Sequence, residues 1–78
     1  MAVLGDLRPE QRGRVTGYRE DSQKYRSKLF SMGLTRGTVF TVKRIAPLGD
    51  PVEIEVRGSM MSLRKREAEA LVIEEVSE

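Results

Sequence analysis

Residues Val52-Glu53-Ile54-Glu55-Val56-Arg57 alternate apolar and charged without a break, and turn-forming residues stand at both ends. Period-two alternation puts the two valines and the isoleucine on one face of a strand and the charges on the other. Such a strand buries a single face, so it needs neighbouring strands and a core beneath it. Before it, Pro47-Leu48-Gly49-Asp50-Pro51 reads as a five-residue turn marked by two prolines and a glycine. After it, Gly58-Ser59 reads as a two-residue hairpin turn. Met61 and Leu63 continue the inward face beyond that turn, which leaves Met60 pointing outward. On the other side, Thr38 to Ala46 is rich in β-branched residues and holds Phe40. Apolar groups fall on both faces of that run, as in a strand that curls through a small barrel.

The rest of the chain supplies the remaining elements. Residues 1–13 read as an irregular lead-in anchored by Leu4 and Leu7, with Pro9 preventing a long helix. Arg14 to Arg19 reads as a strand interrupted by Gly17, where a bulge or sharp bend is expected. Asp21 or Ser22 can cap the start of a helix. Tyr25, Leu29 and Met32 then fall on one face at a 3.6-residue period. Gly33 ends the helix, Leu34 folds back on its last turn, and Gly37 turns the chain. Lys65 to Ala70 suits a single helical turn, and Leu71 to Val76 reads as the closing strand. About five short strands with one inserted short α-helix predict a mainly β domain over residues 1–78. An SH3-like barrel is the simplest architecture for that order. A closed barrel would protect the strand edges.

Composition removes most catalytic chemistry. The chain has no cysteine and no histidine, which excludes thiolate sites and the commonest general base. Ser27, Ser31, Ser59 and Ser62 have no visible activating base. No apolar run is long enough to span a membrane, and the N-terminus lacks a signal-peptide pattern, so a cytoplasmic protein without membrane insertion is expected. Gly33-Leu34-Thr35-Arg36-Gly37-Thr38 lacks the lysine of a phosphate-binding loop and follows a helix rather than opening one. Asp50, Glu53 and Glu55 offer carboxylates to a hard cation, but the plainer reading is a solvated strand face with weak metal affinity at most. No cofactor is expected.

Charge is segregated. Residues 1–66 hold all 14 lysines and arginines with seven of the 12 acids, and residues 67–78 hold the other five acids and no base. Arg12, Arg14, Arg19, Lys24, Arg26 and Lys28 make the first third basic, and Tyr18 and Tyr25 can stack on bases. Gln11-Arg12-Gly13-Arg14-Val15 also faintly resembles the strand start of KOW-type barrels. An acidic end lying beside the basic body would partly cancel its field, and the acidic end itself reads as solvated. A small basic barrel that binds RNA or the ribosome is thus an alternative to a protein-interaction module.

Three motifs are more specific. Arg26-Ser27-Lys28-Leu29-Phe30-Ser31-Met32-Gly33-Leu34-Thr35-Arg36-Gly37-Thr38, Val42 to Ile54 through Ala46-Pro47-Leu48-Gly49-Asp50-Pro51, and Ser62-Leu63-Arg64-Lys65-Arg66-Glu67-Ala68 occur in order. Together they resemble the FeoA family, the small ferrous iron transport protein A. The resemblance implies an SH3-like barrel with an inserted helix. It implies a non-enzymatic accessory of the membrane ferrous iron transporter, contacting that transporter's cytoplasmic GTP-binding domain. Leu29, Gly33, Gly37, Pro47, Gly49, Pro51 and Leu63 are explicable as structure: core, caps and turns. Leu48 at the hairpin tip, Asp50 beside it and outward Met60 are the candidate partner-binding residues. Apolar tips also allow weak self-association.

Overall fold

The computed structural model describes residue 4 and residues 7–77; of the lead-in, residues 1–3, 5 and 6 lie outside the described residues. Five strands and two helices follow in order. They are β1 (Arg12–Tyr18), α1 (Gln23–Ser31), β2 (Val39–Ile45), β3 (Val52–Val56), β4 (Ser59–Leu63), α2 (Lys65–Glu69) and β5 (Leu71–Val76). The strands form one antiparallel sheet in the order β4-β3-β2-β1-β5. The register of β1 against β5 shifts between Val15 and Gly17, the bend that Gly17 predicts. A second shift lies between Val42 and Arg44 in the β2–β3 pairing. Bulges sharpen local twist, which accounts for apolar groups on both faces of β2. The end strands β4 and β5 are not neighbours in the ladder, so hydrogen bonds do not close the sheet; α2 joins the two and packs against both.

One core takes residues from every strand: Val15, Phe40, Val42, Val52, Ile54, Val56, Leu63, Leu71 and Ile73 are buried, with Leu4, Leu7, Leu29 and Leu34 around them. Val52, Ile54 and Val56 are the inward half of the alternating strand, as their spacing requires. On α1, Leu29 is fully buried while Tyr25 and Met32 pack at its margin. Gly33 follows at φ 88, and the Leu34 amide donates back to the Leu29 carbonyl at 3.0 Å, which ends the helix and returns Leu34 to the core.

Two local expectations are corrected. The hairpin turn is Arg57-Gly58, one residue earlier than Gly58-Ser59, because Ser59 already pairs with Val56. Arg57 and Gly58 both hold positive φ, 51 and 81, the mirror-image turn that matches strand twist. Nor does the side chain of Ser22 cap α1. Its Oγ donates instead to the Arg19 carbonyl at 2.5 Å, so the hydroxyl fixes the turn entering the helix rather than a helix amide.

Candidate protein-contact surface

The five-residue turn between β2 and β3 is built around Leu48. Pro47–Gly49 is a tight turn rather than a helical one, because Leu48 leaves helical geometry at φ 68 and Gly49 follows at φ 76. The Gly49 amide donates to the Ala46 carbonyl at 2.9 Å, and the Ala46 amide to the Pro51 carbonyl at 3.1 Å. The Asp50-Pro51 peptide is cis. Asp50 Oδ1 lies 3.6 Å from Arg64 Nη1, which ties the base of the turn to the end of β4. On this braced support the Leu48 side chain is 93% exposed. Neither its own burial nor its neighbours explain a leucine in the left-handed region.

Met60 lies elsewhere. It is 54% exposed on β4. It sits opposite Glu55, beside the Arg57-Gly58 turn. Leu48 precedes the other end of the same hairpin, where Val52 pairs with Leu63. The fold thus brings Leu48 and Asp50 together and separates Met60 from them. Phe30, 65% exposed on α1, is a further exposed apolar residue, outside the three candidates. Its signal was available: it falls off the stripe of Tyr25, Leu29 and Met32.

The three carboxylates weighed as a metal site do not converge. Asp50 faces Arg64, and Glu55 lies 3.8 Å from Lys43. Among the described residues no group of three carboxylates is placed to hold a metal ion. A groove of about 360 Å³ opens at the start of α1, lined by residues that include Arg19, Asp21, Ser22, Lys24, Tyr25 and Glu69, and the aliphatic hydroxyl among them, that of Ser22, is committed to the Arg19 carbonyl. No helix of the described residues is long and apolar enough to cross a membrane.

The acidic end lies along the basic strand. Arg14 Nη1 meets Glu74 Oε1 at 2.5 Å, and Gln11 Nε2 donates to Glu75 Oε2 at 3.0 Å. Arg12 is also engaged. Lys24 Nζ sits 5.3 Å over the Tyr25 ring, and the Arg26 guanidinium 6.0 Å from that of Tyr18, whose hydroxyl donates to the Leu34 carbonyl at 2.6 Å. Each tyrosine ring thus has a cation of the same chain near one of its faces. The acidic end is not uniformly solvated, however. Glu67 is only 5% exposed. It accepts from Lys28 Nζ on α1 and, at 2.9 Å, from the Arg64 amide. Burial by itself raises its pKa, but the bonds from Lys28 and Arg64 and their charges outweigh that and hold it below its ordinary value. Glu67 was missed because its partner Lys28 is 39 residues away. Glu78 lies outside the described residues.

A family model, the FeoA domain, matches residues 3–75. This chain belongs to the FeoA family. A FeoA-like protein from Clostridium acetobutylicum is 36% identical, with 97% of this chain and 87% of that one covered and a TM-score of 0.86. A protein from Pseudomonas aeruginosa is 42% identical over 91% of this chain and 96% of that one, TM-score 0.74. The zinc complex of FeoA from Stenotrophomonas maltophilia, described as an SH3 domain protein, is 19% identical over 95% and 91% of the two chains, TM-score 0.79. That last likeness carries the fold alone, and the mainly β SH3-like architecture expected from the strand pattern is the one observed. The FeoA family is associated with ferrous iron transport.

Proposed function

We propose that this FeoA-family chain is a non-enzymatic cytoplasmic accessory of bacterial ferrous iron uptake. It acts by protein–protein contact with the GTP-binding cytoplasmic domain of the membrane Fe(II) transporter. The observation that carries this reading is Leu48, a 93% exposed leucine at φ 68 on a turn braced by Asp50 and Arg64. A left-handed leucine costs about 1–2 kcal/mol over glycine or asparagine there, and its exposed side chain returns nothing to the core. A rigidly presented apolar side chain is what a contact anchor requires. Asp50 adds a polar rim to the same contact, and Met60 a second apolar point. Membership of a family associated with ferrous iron transport supplies the process. The S. maltophilia protein is itself described as a candidate ferrous iron transport activating factor.

The test is a titration of this chain against the transporter's GTP-binding domain, with and without guanine nucleotide. Leu48→Glu lowers the affinity at least roughly tenfold, and the wild-type affinity changes little with salt. Undiminished binding by Leu48→Glu removes the anchor. Tight binding to RNA that weakens steeply with salt, with none to the domain, replaces the reading with the RNA-binding one. Arg14, already neutralised by Glu74, argues against that outcome.

A further inference from the structure

The sheet ends in two strands of unlike character. An edge strand presents unpaired N–H and C=O groups to any passing strand, and natural edges carry charges, prolines or bulges against that. At one edge β5 carries Glu74 and Glu75, and its pairing with β1 is bulged. At the other edge β4 reads Ser59-Met60-Met61-Ser62-Leu63, with no charge, no proline and an unbroken register against β3. Ser59, Met60 and Ser62 are exposed.

The free hydrogen-bonding groups of β4 can be assigned. The two-residue turn makes Val56 and Ser59 a hydrogen-bonded pair. Antiparallel pairs alternate, so Met61 and Leu63 also bond to β3. The N–H and C=O of Met60 and Ser62 then point away from the sheet. Among the described residues no turn, loop or cap hydrogen bond reaches them.

We propose that β4 is a self-docking edge, through which two copies of this chain pair antiparallel about a two-fold axis at Met61 and continue the sheet. A two-fold interface must be self-complementary, and this strand is. With Met61 opposite its own copy, Met60 of each chain lies opposite Ser62 of the other. These are the residues with free groups, so each such pair exchanges two hydrogen bonds. The same register pairs Ser59 with Leu63, uses the whole strand and keeps inward side chains inward. No like charges meet within the strand. Two of the flanking charges are drawn elsewhere: a Cβ on Gly33 would stand 3.3 Å from Arg57 Nη1, so that guanidinium folds toward the end of α1, and Arg64 is held by Asp50. A five-residue seam buries less than the ~1,000 Å² of a stable interface, so the dimer is weak and forms with rising concentration.

Sedimentation and amide exchange of the whole chain over a range of about 20 μM to 2 mM test this. The expected result is a mass rising toward twice the monomer's, with exchange at the Met60 and Ser62 amides slowing in step. Ser62→Lys places a charge on the seam and leaves the core alone; it weakens association at least roughly tenfold. Met60→Pro deletes one outward donor without touching the bonds to β3 and acts in the same direction, and Ser62→Lys decides alone if that proline unfolds the chain. A monomer at every concentration overturns the proposal. So does a dimer that Ser62→Lys leaves unchanged, or one in which the Met60 and Ser62 amides exchange as fast as in the monomer.

Discussion

A leucine at φ 68 carries a backbone cost that an asparagine largely escapes. Leu48 is also almost fully exposed, so replacing it loses no burial. Leu48→Asn is therefore expected to raise stability by up to about 1 kcal/mol while weakening partner contact, a split that urea unfolding and the domain titration read separately. Glu67 is the opposite case, a charge retained in the interior by its partners. Its lowered folded-state pKa means that its contribution is complete above the ordinary value of 4.5 and is lost as pH falls through the folded-state value. Glu67→Gln should cost about 1–2 kcal/mol at neutral pH. The gap to wild type should narrow as pH falls from 4.5 through the lower folded-state value, as urea midpoints at neutral and acid pH will show. Neither environment follows from the residue's own neighbours in sequence. Leu48 was recognised as a tip residue from its turn, but its backbone angle was not visible. Glu67 sits in an acidic stretch whose other described members, Glu69, Glu74 and Glu75, are exposed, and nothing local separates it from them.

Within β1, two glycines look alike in sequence and differ in the fold. A Cβ on Gly13 would lie 2.6 Å from Phe40 Cζ and 3.1 Å from Leu7 Cδ1. The strand presses its backbone against the core ring there. At Gly17, in the bulge, the nearest atom to a Cβ is Arg36 Nη2 at 3.8 Å. Gly13→Ala is expected to cost about 1–3 kcal/mol through forced repacking. Gly17→Ala should stay within about 0.5 kcal/mol of wild type, since a methyl group fits and the unfolded chain loses freedom. Urea titrations of both variants check the contrast. Elements themselves were largely legible, because period-two and 3.6-residue spacing are local properties. The misplaced hairpin turn shows the limit. Gly58 marks a turn, but whether it takes the first or second central position is settled by which pair, Val56 with Ser59 or another, keeps the inward faces aligned.

At the scale of the molecule, every strand contributes to one buried cluster, and α1 joins it through Leu29. Such sharing couples the elements. Far-ultraviolet circular dichroism, reporting the sheet, and the near-ultraviolet signal of Tyr18 and Tyr25 should therefore lose structure in one coincident transition. Separated midpoints would show that α1 detaches first. The period-two pattern, the Gly and Pro punctuation and the helical stripe determined which residues face inward and where the chain turns. These signals survive in a linear reading because each depends on spacings of a few residues. The tertiary structure alone decided that Glu67 is buried against Lys28, that Glu74 covers Arg14, that Met60 stands apart from Leu48, and that β4 is left as an undefended edge. Those facts depend on pairings between distant segments, and the same local pattern is compatible with many such pairings until the core selects one.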